Sequence, residues 1–417
     1  MSAPEPMRGS GLYPAQWQLA CAVLDEVLQG RAADRCLQAA FRERRNMGGR
    51  DRAWVTEMVY GVLRDLRRLR AMVGEGSSAA LCAALLLRSE RVSPERLQSL
   101  GVDVDALRAR LAAHDDSALT AAERANVPDT IYQAWQLQYG DAAESLAAAL
   151  CEQAPVDLRV NTLKCDRAEA QAALSEAGIE VQVTPYAPQG LRVARRAALQ
   201  NLAIYRDGWI EPQDEGSQLL AMLMDAQPGE TVIDYCAGAG GKTLALAAQM
   251  QDRGTLYAWD SDSTRLARLA PRLQRAGVHC VQIRTLGNDE EPEVQADAVL
   301  VDAPCSATGT WRRQPEARLK ALDLPSLTTL QAQILARAAR HVRPGGRLVY
   351  ATCSLLDAEN ADIVEAFLAA HPQFELDDAG AELASAGITL PGRMLQLLPH
   401  QHGTDGFFAA RLRRRMG

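Results

Sequence analysis

Along residues 1 to about 145 the apolar positions fall at helical spacing, and no strand-like alternation interrupts them. Ala15–Leu28, Asp51–Val73 and Ala79–Leu87, rich in Ala, Leu and Arg, are predicted as helices. From about 146 to 215 the texture changes. Asp157–Thr162, Ile179–Thr184 and Gly190–Ala194 read as strands around a helix at Arg167–Ala177, a small α+β unit. From about 216 onward, strand-like and helical stretches alternate, the signature of a mostly parallel sheet with helices on both faces. The expected strands are Thr231–Asp234, Thr255–Trp259, Cys280–Arg284, Asp297–Val301, Arg347–Ala351 and Phe407–Leu412. The expected helices are Thr243–Met250, Ser263–Ala276 (kinked at Pro271), Leu327–His341 and Ala358–Ala370. Three domains follow: 1–145, 146–215 and an α/β domain over 216–417.

Composition narrows the class. With 417 residues, 47% of them apolar and 23% charged, the chain can bury real cores. No uncharged apolar run reaches the ~18 residues of a membrane span. The N-terminal MSAPEPMRGSGLYP lacks the apolar stretch of a secretory signal, so a cytoplasmic location is expected. Nine cysteines, scattered without C-x-x-C pairs or metal-ligand spacing, predict reduced thiols and no metal site.

A net charge of −7 excludes coating of nucleic acid by bulk electrostatics but not a local basic face. Two basic runs, Arg42/Arg44/Arg45/Arg50/Arg52 and Arg64/Arg67/Arg68/Arg70, read equally as solvated amphipathic faces or as the contact of the helical domain with an anionic partner. The lysines are Lys164, Lys242 and Lys320; Lys242 lies inside a motif taken up below.

In an open α/β sheet the chemistry sits just beyond the carboxyl ends of the strands. After the first strand comes Asp234-Tyr-Cys-Ala-Gly-Ala-Gly-Gly-Lys-Thr243, whose glycines allow a tight turn and close approach to a ligand. A phosphate loop needs Gly where Cys236 stands, which disfavours an NTPase despite a Walker-B-like Ala298–Asp302. A strict G-x-G-x-x-G for a nicotinamide cofactor is also absent. Asp260, about 20 residues past the glycines, suits two ribose hydroxyls, and Asp234 could offset a sulfonium and an ammonium group. S-adenosylmethionine fits that combination.

Two further strand ends carry Asp302-Ala-Pro-Cys305-Ser-Ala-Thr-Gly and Tyr350-Ala-Thr-Cys353-Ser-Leu. Adjacent strands lie ~4.8 Å apart, so both thiols are expected to face one crevice. These segments, with Arg312-Arg313 and Glu359-Asn360, resemble the two cysteine motifs of the Sun/Fmu (RsmB-type) RNA cytosine-carbon-5 methyltransferases. Leu158-Arg-Val-Asn161, Asp207-Gly-Trp-Ile, Gln213-Asp214 and Asp405-Gly-Phe-Phe408 extend the resemblance over about 155–412. Asp51-Arg52 and Val59-Tyr-Gly-Val-Leu-Arg64 resemble the NusB-like RNA-binding module. The chain departs from the family at Gly238-Ala239-Gly240-Gly241-Lys242, which lacks the usual Pro, and at Arg284–Asn288, where an adenine-binding acid is not evident.

The resemblance implies a Rossmann-like class I methyltransferase domain behind a small α+β subdomain and a NusB-like helical domain. It implies a cofactor site of Asp234, Cys236, Ala237, Gly238, Ala239, Gly240, Gly241, Lys242, Asp260, Arg265, Asp302 and Pro304, holding S-adenosylmethionine. RNA, with ribosomal RNA foremost, would lie against Arg159, Asn161, Arg312 and Arg313.

Carbon 5 of cytosine becomes nucleophilic once a thiolate adds to carbon 6, and a base must later remove the carbon 5 proton. An acid is needed on the N3 side of the ring, and Asp302 is the candidate. The residues alone leave open which thiol attacks. The resemblance implies Cys353 as nucleophile and Cys305 as the assistant in release, with Lys242 biasing charge nearby. No membrane or metal partner is expected, and the chain is expected to be monomeric. The competing reading is an RNA-binding ribosome-assembly factor that keeps the fold but not the activity, motivated by the altered loop and the missing acid.

Overall fold

A computed structural model describes residues 12–74, 76–195, 197–287, 290 and 292–416. The N-terminal stretch read for a signal, up to residue 11, lies outside the described residues, as do Asn288 and Gly417. Two compact units emerge, 1–153 with 310–321, and 154–309 with 322–417.

In the first unit, helices including Pro14–Leu28, Gly49–Arg64, Leu66–Val73 and Ser78–Arg88 bury one apolar core around Trp17, Leu24, Val59, Leu63 and Leu81. The single helix expected over Asp51–Val73 is two helices. Asp65 leaves helical geometry at φ −127° and pairs its carboxylate with Arg88 on a neighbouring helix. The segment 310–321, expected inside the α/β domain, belongs to this unit. Trp311 packs 5.5 Å from Trp135, Arg318 donates to the Leu150 carbonyl at 2.7 Å, and Glu316 accepts from the Ala33 amide at 3.0 Å.

The second unit holds two sheets. The smaller is antiparallel, ordered β2-β3-β1-β4, from β1 (Val156–Val160), β2 (Val181–Val183), β3 (Gly190–Val193) and β4 (Ile210–Pro212). The larger contains β5 (Thr231–Asp234), β6 (Thr255–Asp260), β7 (Val281–Thr285), β8 (Ala296–Asp302) and β9 (Val342–Thr352). It is completed by β10 (Phe374–Leu376), β11 (Leu395–Leu397) and β12 (Phe407–Arg414). Its order is β10-β12-β9-β8-β5-β6-β7, with β11 on β12. The β5–β9 pairings are parallel and those of β12 antiparallel. This is the Rossmann-like architecture expected, and the strand order reverses between β5 and β8, where such sheets open a crevice.

Strand β8 shows why the sheet is buried on both faces. Ala298 and Leu300 join one core, and Val299 and Val301 the other. The helix expected over Ser263–Ala276 is broken into Ser263–Leu266 and Leu269–Ala276. Pro271 then falls in the first turn of the second helix, where an amide has no intrahelical partner to lose. Among the described residues, no single helix is long and apolar enough to cross a membrane.

Candidate active site

The turn after β5 is built on two glycines in the left-handed region. Gly240 has φ +83°, and a Cβ there would stand 2.1 Å from Leu269 Cδ1. Gly238 has φ +55°, and a Cβ would stand 2.5 Å from Arg265 Nη2. The family's stiffening Pro is replaced by hydrogen bonds. Asp260 Oδ2 accepts from the Gly238 amide at 2.8 Å, and Arg272 donates to the Ala239 carbonyl. The Ala237 amide donates to the Trp259 carbonyl at 2.8 Å, which ties the loop to β6. Arg265 lies 3.5 Å from Asp260. Gly241 then opens the helix Gly241–Gln249, which carries Lys242 and Thr243 on its first turn.

Asp234, at the tip of β5, is 1% exposed. Its Oδ2 accepts from the Thr243 hydroxyl at 2.7 Å, and its buried Oδ1 has no partner. Burial pushes its carboxyl up to about 7, with Asp302 adding to the rise and Thr243 and Lys242 opposing it. Burial likewise holds the Cys236 thiol above its ordinary range. An unpartnered buried carboxylate oxygen beside a glycine cradle fits a cationic cofactor. Binding of a cation favours ionised Asp234, so affinity for S-adenosylmethionine should fall as pH drops below about 7. The slope approaches tenfold per pH unit. Calorimetry across that range should show this for the wild type and a weaker, pH-independent affinity for Asp234→Asn. Equal wild-type affinity on both sides of neutrality would exclude the coupling.

The two thiols converge as the strand pairing requires. Asp302 of β8 is registered opposite Ala351 of β9, so Cys305 and Cys353 leave neighbouring tips. Their Sγ atoms lie 3.4 Å apart, both half-buried and both free cysteines. Hydrogen bonding to Cys353, reinforced by burial, holds the Cys305 thiol well above its ordinary range. Lys242 Nζ donates to Asp302 Oδ2 at 2.7 Å and lies 5.9 Å from the centre of the Phe407 ring. Burial works against its ammonium, but Asp302 outweighs this, with Cys353 and Asp234 adding to the hold, and the lysine is kept above its usual value. Pro304 is exposed, and its carbonyl accepts from Gln331 at 2.9 Å.

Four residues expected to touch RNA require correction or relocation. Arg159 is 6% exposed and donates to Gln213 Oε1 at 2.7 Å inside the unit. Asn161, 5% exposed, clamps the carbonyls of Gly208 and Ala276, each at 2.9 Å. Arg159 sits on β1 and Asn161 directly after it, both buried, and their hydrogen bonds brace the small sheet. Arg312, buried, and Arg313 lie on the 310–321 segment of the helical unit instead of on the α/β unit. The second basic run is also largely spent. Arg67 pairs with Asp129 and Arg68 with Asp116, whereas Arg42, Arg44, Arg45 and Arg50 are exposed.

Glu359, quoted above only as part of a motif, turns out to be central: fully buried, it contacts the residue after each cysteine. Thr243, the partner of Asp234, was passed over because a hydroxyl on a first helical turn carries no distinctive signal. Among the described residues, no group of three or more His, Cys, Asp or Glu side chains could hold a metal ion.

A Rossmann-like sheet with an acidic, glycine-rich first turn and paired thiols beside a lysine–aspartate pair defines a cysteine-dependent class I methyltransferase. Residues 221–413 match the family model described as 16S rRNA methyltransferase RsmB/F, and 127–200 match the RsmF/B-like ferredoxin-like domain. A probable ribosomal RNA small subunit methyltransferase B from Synechocystis is 35% identical over 72% of this chain and 69% of its own length. A Bacillus subtilis relative with the same description is 27% identical over 95% of this chain and 98% of its own. A crystal structure of a methyltransferase homologue from Pyrococcus horikoshii covers 72% of this chain and 100% of its own, at TM-score 0.62 and 29% identity. The chain belongs to the RsmB/F family of RNA cytosine-carbon-5 methyltransferases.

Proposed function

We propose that the protein methylates carbon 5 of a cytosine in small-subunit ribosomal RNA in the cytoplasm, acting as a monomer. The observation that carries the reading is the 3.4 Å approach of Cys305 and Cys353 beside the Lys242–Asp302 pair. S-adenosylmethionine, when bound, supplies the electrophilic methyl group; Asp234, the 236–241 turn and Asp260 are the residues to hold it.

In this reading the Cys353 thiolate adds to carbon 6, and the displaced π electrons pass toward N3. There the Lys242–Asp302 pair meets the developing charge and supplies the proton. Carbon 5, now enamine-like, accepts the methyl group. Once Cys353 is bonded to carbon its charge and hydrogen-bond acceptance are gone. Both had held the proton on Cys305, which can then lose it to solvent and become a base. Cys305 takes the carbon 5 proton, the carbon 5–carbon 6 double bond reforms, N3 returns its proton to the Lys242–Asp302 pair, and the Cys353 sulfur leaves as thiolate. The exposed arginines Arg42, Arg44, Arg45 and Arg50 of the helical unit suit RNA phosphates.

The test is 5-methylcytosine mapping by bisulfite sequencing of RNA from cells with and without the gene. Loss of one small-subunit cytosine methylation is expected. An unchanged ribosomal pattern, together with no S-adenosylmethionine binding at millimolar concentration, would favour the silent assembly factor.

A further inference from the structure

At the two cysteine turns, Glu359 is a buried ionisable group that the mechanism does not use. Glu359 is 0% exposed and stands between the two cysteine turns. Its Oε1 accepts from the Ser306 amide at 2.8 Å and from Gln331 Nε2 at 2.9 Å. Its Oε2 accepts from the Ser306 hydroxyl at 2.5 Å and from the Ser354 hydroxyl. Ser306 follows Cys305 and Ser354 follows Cys353, so one side chain ties both loops. Four donors around two oxygens complement a carboxylate. A buried charge is retained without gross cost when it is hydrogen-bonded this fully.

Other anchors surround the same point. The Gly309 amide donates to the Cys353 carbonyl at 2.9 Å, and the Leu355 amide donates to Thr308 Oγ1 at 2.8 Å. The Tyr350 hydroxyl donates to the Glu359 carbonyl at 2.7 Å. These bonds connect backbone and neutral groups. Glu359 alone among them brings a formal charge.

We propose that Glu359 is the positioning residue that fixes the two cysteine turns against each other and keeps the proton shared by the two sulfurs on Cys305. The inference rests on the cysteine roles proposed above and deepens them. The charges are arranged asymmetrically about the sulfur pair. Glu359 and Cys353 are the groups whose negative charge acts on Cys305, whereas Cys353 acts on the Lys242 ammonium, together with Asp302 and Asp234. The charge of Glu359 acting on Cys305 and that of Lys242 coupled to Cys353 polarise the S–H···S contact in one direction: the proton stays on Cys305, and the thiolate forms on Cys353. The chemistry needs that outcome, because a proton left on Cys353 would block attack on carbon 6.

The alkylation measurement needs neither RNA nor cofactor, so it can fail independently of the proposed activity. The folded enzyme is alkylated with iodoacetamide from about pH 6 to 9, and mass spectrometry reads Cys305 and Cys353 separately. In the wild type, Cys353 should react at lower pH than Cys305. Glu359→Gln should bring the two profiles together by about one pH unit, a tenfold loss of selectivity. Its kcat for methyl transfer should fall while KM for RNA holds. The Ser306→Ala/Ser354→Ala double variant keeps the carboxylate but removes two of its anchors. It should preserve the order of alkylation and lose kcat.

A folded Glu359→Gln enzyme with wild-type selectivity overturns the proposal. If that variant does not fold, wild-type kcat in the serine double variant overturns it instead. Asymmetric alkylation in an enzyme that methylates no RNA would leave the proton assignment standing and remove the proposed function.

Discussion

Cys305→Ala enzyme, incubated with substrate RNA and S-adenosylmethionine, should accumulate a protein–RNA complex that survives denaturing electrophoresis. Cys353→Ala should form no such complex and should lose methyl transfer by at least about 10⁴-fold. The asymmetry follows from the order of bond making. Without Cys353 no sulfur adds to carbon 6, so carbon 5 never becomes nucleophilic and no covalent bond to RNA arises. Without Cys305 addition and methyl transfer proceed, but the carbon 5 proton has no base in reach and the Cys353–carbon 6 bond cannot break. Both sulfurs are half-buried at neighbouring strand tips, so each truncation removes little packing, and the variants should melt close to the wild type. A trapped complex from Cys353→Ala would exchange the two roles. Near-wild-type turnover in both variants would discard covalent catalysis.

The parts of this site that were legible in the sequence are those where chemistry constrains residue type at a strand end. Asp234, Gly238, Gly240, Gly241, Asp260, Asp302, Cys305 and Cys353 all lie at or just beyond the carboxyl ends of β5, β6, β8 or β9, and the strands themselves announce their position as short apolar runs buried on both faces. Strand β8 extends one residue beyond the predicted Asp297–Val301 at each end.

What escaped depends on tertiary contact. Arg159 and Asn161 are polar residues in a strand pattern, and nothing local says that a second layer covers their face. The 310–321 segment looks like a surface loop. Its membership of the helical unit is set by Trp311 meeting Trp135, Arg318 meeting Leu150 and Glu316 meeting Ala33, pairings between residues more than 160 positions apart. Strands β10 and β11 are three residues each, too short to show a period. Glu359 was visible as a letter in a motif, but its function lies in four donors that come from three different parts of the chain.

The loop without its usual Pro makes the same point in the other direction. A missing stiffening residue reads as weakness in a sequence. In the folded unit the turn is held by the Asp260 carboxylate on Gly238 and by Arg272 on Ala239. That answers the altered loop, one of the two motives for regarding the protein as a silent assembly factor.

Lys242→Met should lower kcat by about 10²–10³-fold while leaving KM for RNA and the melting temperature nearly unchanged. Methionine fills about the volume of the lysine stem, so packing is retained. Loss of the ammonium leaves Asp302 without its 2.7 Å partner, but that carboxylate is a third exposed and can be hydrated in place. The stability cost is therefore about 1 kcal/mol, well short of the penalty for a sealed ion pair. Catalysis has no such relief. The ammonium held on Asp302 faces the charge that builds at N3, an effect larger at the transition state than in the resting enzyme.

Lys242→Arg should rescue poorly, because a planar fork cannot occupy the site of a buried point charge on a single carboxylate oxygen. A Cys305→Ala/Lys242→Met double variant separates the steps: the trapped RNA complex should still form, but slowly, if the lysine serves addition. Trapping at the rate of Cys305→Ala alone would move Lys242 out of the addition step and leave it as a cofactor-loop residue.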